Sequence, residues 1–368
     1  MTTGRLREDN VINRLVKLTM TVSVGLLFAL PNTILAQDPD QNGPPPELLL
    51  SNAMNYYNTA VDKVQTGTGD PTNDFNDAIR YFNTYMTAVP EMTFEDSVSI
   101  MIRMADSYFK LSTYASANGG ELHWEETLEY FQWLIDRNPP EEDLSFNNFQ
   151  AGWAKVQIEG GYGPAMPFFE AYLELRTEDL ERYDWVARIY LSLSNNNRAC
   201  DLFLFILEND PAYPGVITEI LNLRSRLPLR YEEISLKLIE FVPETPQYLM
   251  DMSRFKFDQA RFDEGLDYLN QYLAVRTDDL FALSTLGGEH RRRGNWDEAV
   301  SAYRRILAIE PQRIDTICDI ADVYFQQQLT LDAIREAKRA LAIDPDHPYA
   351  NRVMGDAAIP WALDKFAE

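Results

Sequence analysis

The chain has 368 residues, of which 45% are apolar, 12% aromatic and 24% charged, with 20 Pro, 17 Gly and two Cys. Such a chain buries a large core, which excludes a disulfide miniprotein, a collagen and a disordered tail. Its 33 basic and 57 acidic residues leave a net charge of −24, and a surface that acidic repels nucleic-acid phosphates and anionic lipid.

The first 17 residues carry Arg5, Arg7, Arg14 and Lys17, followed by an apolar run from Leu18 to Leu30 and then by Pro31, Asn32 and a small residue at Ala36. That order predicts a signal peptide over 1–36 with cleavage after Ala36. An uncleaved anchor is the alternative, for which Pro31 and Asn32 leave the span short. The first Cys is Cys200, so no lipidation site follows the cleavage point. Without residues 1–36, which hold four basic and two acidic side chains, the net charge becomes −26. Residues 37–46 form a polar, Pro-rich leader. Asp38, Asp40, Asn42 and Gly43 copy the start of a calcium loop, but Leu49 stands where the bidentate Glu is needed.

From residue 47 to 346 amphipathic stretches alternate with short turns, and no period-2 strand pattern emerges. In the clearest unit, Leu280 to Pro311, the residues Leu283, Leu286, Gly287 and His290 share one face of a first helix. Gly294-Asn295 breaks that helix, Asp297 and Glu298 open a second, and Ala299, Tyr303, Ile306 and Leu307 line its inner face. Gly287 and Ala299 are a small–small pair twelve apart that recurs as Ala187/Ala199, Ser253/Gly265 and Ala321/Ala333. The stops Pro90, Pro139, Thr177, Pro211, Pro243, Thr277, Pro311 and Pro345 are spaced 49, 38, 34, 32, 34, 34 and 34. Two segments nearly coincide, Tyr172 to Leu180 (YLELRTEDL) and Tyr272 to Leu280 (YLAVRTDDL).

A 34-residue helix–turn–helix period with these small, aromatic and Pro positions resembles the tetratricopeptide repeat family. The resemblance implies an all-α, right-handed superhelical solenoid of about eight repeats, with residues 347–368 as a C-terminal capping helix and tail. Toward the N-terminus the pattern weakens, with enlarged turns expected at Thr66–Asn73 and Ala115–Glu121. The fifth unit departs at Tyr231 and Ser235, where small and aromatic residues belong.

The resemblance also implies that one stripe of the first helices lines a concave groove that binds extended peptides or partner helices. In this sequence it selects Arg188, Met250, Arg254, Phe257, Phe281, Arg291, Asp315, Asp322 and Phe325, with Cys318 on the same stripe and Trp185 and Asp319 beside it. Related proteins that clamp a C-terminal carboxylate use Lys and Asn there, and this chain lacks them. Aromatic platforms beside an acidic end suit a partner with basic and apolar anchors. The competing reading is a solvated helix face.

Catalytic motifs are missing: no H-E-x-x-H, G-x-S-x-G, P-loop or C-x-x-C occurs. His123, His290 and His347 are far apart in sequence, and His290 occupies a slot expected to be core. Cys200 and Cys318 lie four repeats apart, beyond disulfide reach unless the superhelix closes, with an intermolecular bridge through Cys318 as a lesser option. The expectation is a non-enzymatic scaffold or adaptor of the cell envelope, periplasmic or extracellular, with no metal, no cofactor and no nucleic-acid partner. The alternative is an accessory component of envelope polysaccharide assembly or export. A third reading places a catalytic site in the enlarged turns, at Asp70, Asp74, Glu121 and His123.

Overall fold

The computed structural model describes residues 44–137 and 140–367, with side chains as far as 359. The expected signal segment, the calcium-like loop start and the leader up to residue 43 lie outside these residues, and Pro46, the expected last residue of the leader, already begins the first helix. Among the described residues there are 17 α-helices and no strand. They run as α1 (Pro46–Thr66), α2 (Thr72–Ala88), α3 (Phe94–Asn118), α4 (Trp124–Ile135), α5 (Glu141–Glu159), α6 (Met166–Leu175), α7 (Leu180–Ser192), α8 (Asn196–Asn209), α9 (Val216–Arg226), α10 (Tyr231–Phe241), α11 (Gln247–Asp258), α12 (Phe262–Val275), α13 (Leu280–Arg292), α14 (Trp296–Ile309), α15 (Ile314–Gln326), α16 (Thr330–Ile343) and α17 (Pro348–Ala367). This is an all-α solenoid order, two helices to a repeat and a last helix behind them. The chain divides into two compact units, one ending at Ile189 and one beginning at Tyr190.

In the N-terminal unit α1 packs on α2, α3 on α4, and α5 on both α4 and α6. Ala53, Ala60, Phe75, Ala78, Phe82 and Met104 form one core cluster, and Ala105, Phe131, Leu134 and Ala151 a second. The expected enlargement of the turns is found mostly in the helices instead. α1 has 21 residues and α3 has 25, against 13 in α13 and α15. α3 continues through Ala115 as far as Asn118, because nothing before Gly119 interrupts its backbone hydrogen bonds.

In the C-terminal unit α11 packs on α12, α13 on α14, α15 on α16, and α17 on α15 and α16. The small–small pairs do what their spacing requires. A Cβ on Gly287 would stand 2.5 Å from Tyr303 Cε1, so the ring of α14 lies directly on the α13 backbone. In the preceding repeat the buried Ser253 hydroxyl donates to the Gly265 carbonyl at 2.8 Å across the same contact. In the fifth repeat the departing residues are packed, but partly against the next repeat. Ser235 is fully buried, and Tyr231 stacks on Phe255 with ring centroids 4.4 Å apart.

The turns are as repetitive as the helices. After α7, α11, α13 and α15 the chain passes through a left-handed residue: Ser194 (φ 60°), Ala260 (58°), Gly294 (78°) and Gln328 (63°). The next amide in each case donates back to the fifth residue upstream, Asn195 to Tyr190 at 2.8 Å, Arg261 to Lys256, Asn295 to His290 and Leu329 to Tyr324 at 2.9 Å. This closure satisfies the last carbonyls of the first helix and demands a positive φ whatever the residue. Glycine fills only one of the four positions. The near-identical segments also fold alike: Tyr172 donates to Asp179 at 2.5 Å and Tyr272 to Asp279 at 2.6 Å. Asp279 then accepts from the Phe281 and Ala282 amides, capping α13.

Two substitutions test this geometry by thermal unfolding. Ala260→Gly removes a left-handed Cβ and is expected to stabilise by about 1 kcal/mol, a rise of about 2–4 °C in Tm. Gly287→Val drives a side chain into the Tyr303 ring and is expected to cost about 2–3 kcal/mol.

Candidate functional site

The residues singled out on the first helices have unlike fates. In the C-terminal unit Arg254 is exposed on α11, with its guanidinium 5.1 Å from the ring centroid of Phe281 on α13. Phe281 is itself 60% exposed. Phe257 turns inward, half-buried, over the α12 backbone, where a Cβ on Gly265 would meet its ring at 2.5 Å. Met250 is only 2% exposed and belongs to the core with Leu266, Ala282 and Leu283, so it does not line a surface. Cys318, expected on the same stripe, is also fully buried. Burial pushes the Cys318 thiol up to about 11, which keeps it protonated and removes it as an intermolecular bridge. Cys200 is buried likewise, its thiol raised to about 11 by the same cause.

The charges of the stripe are largely spent between neighbouring repeats. Arg291 of α13 reaches Asp319 at 3.3 Å and Asp322 at 3.2 Å, both on α15. Tyr349 of α17 donates to the same Asp319 at 3.2 Å. Burial raises the Asp319 carboxyl above its ordinary value, against the pull of Arg291. One repeat pair earlier, Arg224 of α9 holds Asp251 of α11 at 3.1 Å. The expected acidic end therefore narrows to Asp315, whose side chain is 74% exposed with His347 Nε2 at 3.5 Å. Phe325 is half-buried at the far end of α15.

In the N-terminal unit Trp185 packs edge-on to Phe169 at 5.0 Å and against Phe149 and Tyr162, both at 5.9 Å. It is half-buried within an aromatic stack rather than a bare platform. Arg188 is exposed and bonded to Asp184, one turn earlier, at 2.9 Å. The four residues of the catalytic reading are occupied locally or dispersed. Asp74 takes Lys63 at 2.5 Å, Asp70 accepts the Thr72 amide at 2.8 Å, and His123 Nδ1 stands 3.5 Å from Glu126. Glu121 is exposed in the connector before α4.

The first-helix slot shared by Tyr190, Lys256, His290 and Tyr324 holds what residue reading missed. Lys256 is 1% exposed there, with Nζ 2.5 Å from Glu232 and 2.8 Å from Glu264. Arg261 closes the cluster on Glu232 at 2.7 Å and Glu264 at 2.6 Å. Hydrogen bonds from Arg261 and Lys256 hold the Glu264 carboxyl below its usual range. The repeat register contained the signal, a Lys where sister repeats carry rings. In the next repeat His290 is half-buried rather than enclosed, and burial lowers its pKa. It lines a shallow hollow of about 380 Å³ with Asp297, Glu298 and Arg305. Among the described residues no group of three or more His, Cys, Asp or Glu is placed to hold a metal ion, and no helix is long and apolar enough to cross a membrane.

The sequence profile of the tetratricopeptide repeat family matches residues 290–357, from the end of α13 into α17. That segment carries tetratricopeptide repeats. No curated protein matches it in sequence. Among solved structures, a tetratricopeptide repeat protein from Parabacteroides merdae is 12% identical, aligned over 84% of this chain and 99% of its own, with a TM-score of 0.30. Yeast Tom70 is 14% identical over 98% of this chain and 72% of its own, at 0.31. YrrB, described as a tetratricopeptide protein with an unusual peptide-binding site, is 19% identical over 61% of this chain and 97% of its own, at 0.24. At such scores these likenesses say nothing about what this chain binds.

Whether the paired charges are a repeat-to-repeat tie or a solvated face is measurable. A double-mutant cycle on Arg291→Ala and Asp319→Ala is expected to give a coupling of about 1 kcal/mol in thermal unfolding. A coupling near zero would return the stripe to a solvated face.

Proposed function

We propose that this tetratricopeptide chain is a non-enzymatic scaffold of the cell envelope, exported after cleavage at Ala36, that binds a protein partner along the exposed part of its first-helix stripe. Repeat scaffolds of this family act in protein–protein interaction, and the family match supports that much directly. One observation carries the finer reading. Arg254 and Phe281 form an exposed cation–ring pair in a stripe where Arg291, Asp319 and Asp322 are already engaged. Arg254 has no carboxylate partner among the described residues, and a ring-stacked guanidinium keeps its donors free for one. With Asp315 exposed on α15, the surface suits an extended polypeptide carrying an acidic group, an apolar segment and a basic group in turn.

The experiment is site-specific photo-crosslinking in cells. A cross-linker at Ser284, exposed on α13, is expected to trap a partner, whereas one at Leu331, 65% exposed on α16, is not. Arg254→Ala with Phe281→Ala is expected to lower the yield at 284 by about tenfold. Adducts at 331 alone would move binding off the stripe. N-terminal sequencing of protein from the envelope fraction is expected to begin at Gln37; an intact N-terminus in the cytosol would defeat the export reading.

A further inference from the structure

A second surface lies away from the stripe residues. In the N-terminal unit an open groove of about 460 Å³ runs between α4, α5 and α6. Leu128 of α4, Ile158 at the end of α5 and Phe168 of α6 give it an apolar lining. Ile158 is 37% exposed, while Leu128 and Phe168 are half-buried.

Glu125 and Glu129 stand on the rim, both exposed and one helical turn apart. Like charges at that spacing repel by a few tenths of a kcal/mol. Glu125 lies in the first turn of α4, where the helix dipole favours it, but Glu129 has no such compensation. Neither has an ion pair among the described residues. Lys155, the cation that also lines the groove, is bonded to Glu159 at 2.8 Å. The surroundings reinforce this bias, since residues 44–189 carry 24 acidic and 9 basic side chains.

We propose that this groove docks a partner polypeptide presenting a Leu-, Ile- or Phe-type side chain flanked by lysine or arginine. The apolar anchor buries Leu128, Ile158 and Phe168, and the flanking cations relieve the Glu125/Glu129 repulsion. Charge complementarity selects this occupant: an acidic or uncharged amphipathic segment meets the same floor but leaves the rim unneutralised. The site is separate from the first-helix stripe and stands or falls without it.

The probe is a fluorescent amphipathic helix of leucine and lysine, compared with its leucine–glutamate counterpart, titrated against the full chain. The lysine peptide is expected to bind, more weakly as salt rises, and the glutamate peptide is not. Glu125→Gln with Glu129→Gln, and separately Ile158→Asp, are expected to weaken binding by about tenfold. Glu141→Gln with Glu142→Gln removes the same charge outside the groove and is expected to change it by less than about twofold. Hydrogen-exchange protection on binding is expected in α4, the end of α5 and α6. No binding by the lysine peptide, an equal loss in the Glu141/Glu142 control, or protection confined to other helices would each overturn the proposal. Unchanged circular dichroism and Tm in every variant keep misfolding from imitating a loss.

Discussion

Two helix backbones meeting at a pair of small residues is the contact that sets every other dimension of a repeat. Where Gly287 faces Tyr303, the missing Cβ lets an aromatic ring rest on the backbone itself. Where Ser253 faces Gly265, a hydroxyl bonds a carbonyl through the same gap. Close packing of this kind leaves no room for an added methyl group, so the position of the second helix follows from the size of two side chains. The left-handed closure after the first helix then returns the chain at the angle this contact needs. Ser194, Ala260 and Gln328 adopt that closure without glycine's freedom, which means that tertiary packing outweighs a local cost of about 1 kcal/mol or more.

Once the helix spacing is set, charged side chains on successive first helices come within reach of one another. Arg224 meets Asp251, and Arg291 meets Asp319 and Asp322. A heavily acidic chain thus uses its scarce cations between repeats. Lys256 is the extreme case, buried in a slot that Tyr190 and Tyr324 fill in sister repeats. The cost of desolvating its ammonium is offset by the carboxylates of Glu232 and Glu264, which also hold the nearby Arg261. What remains unpaired after this internal use is informative, because it is what a partner can still reach. Arg254, stacked on Phe281, is one such group on the first helices; Glu125 and Glu129 on α4, beside an apolar floor, are others.

The helix-pair architecture was legible from spacing alone. Gly287/Ala299, the proline stops and the paired Tyr172 and Tyr272 segments each record a constraint imposed on every repeat, so the pattern survives in one sequence. Even Asp179 and Asp279 serve the same hydrogen bond in both copies. The lengths of α1 and α3 were harder to read, since helical continuity through Ala115–Asn118 depends on the absence of a breaker rather than on a positive signal. Surface residues were harder still. Met250 and Cys318 fall on the same helical stripe as Arg254, yet both are buried, because periodicity gives the angle around one helix and not the position of its neighbours. Ser145, Asn147, Asn148 and Gln150 on α5 are buried too, despite their polarity.

The sequence by itself determined that this protein is a stack of helix pairs, because small residues, turns and stops at a 34-residue period leave a chain few other ways to bury its apolar faces. Only the tertiary structure decided which side chains remain free. Arg291 and Asp319 are 28 residues apart, and Lys256 and Glu232 are 24 apart, so their pairing exists only after the helices have packed. The same holds for the groove lined by Leu128, Ile158 and Phe168, which three separate helices bring together. A residue's own helix fixes its direction, but the helix beside it decides whether that direction leads to solvent, to a counter-charge or into the core.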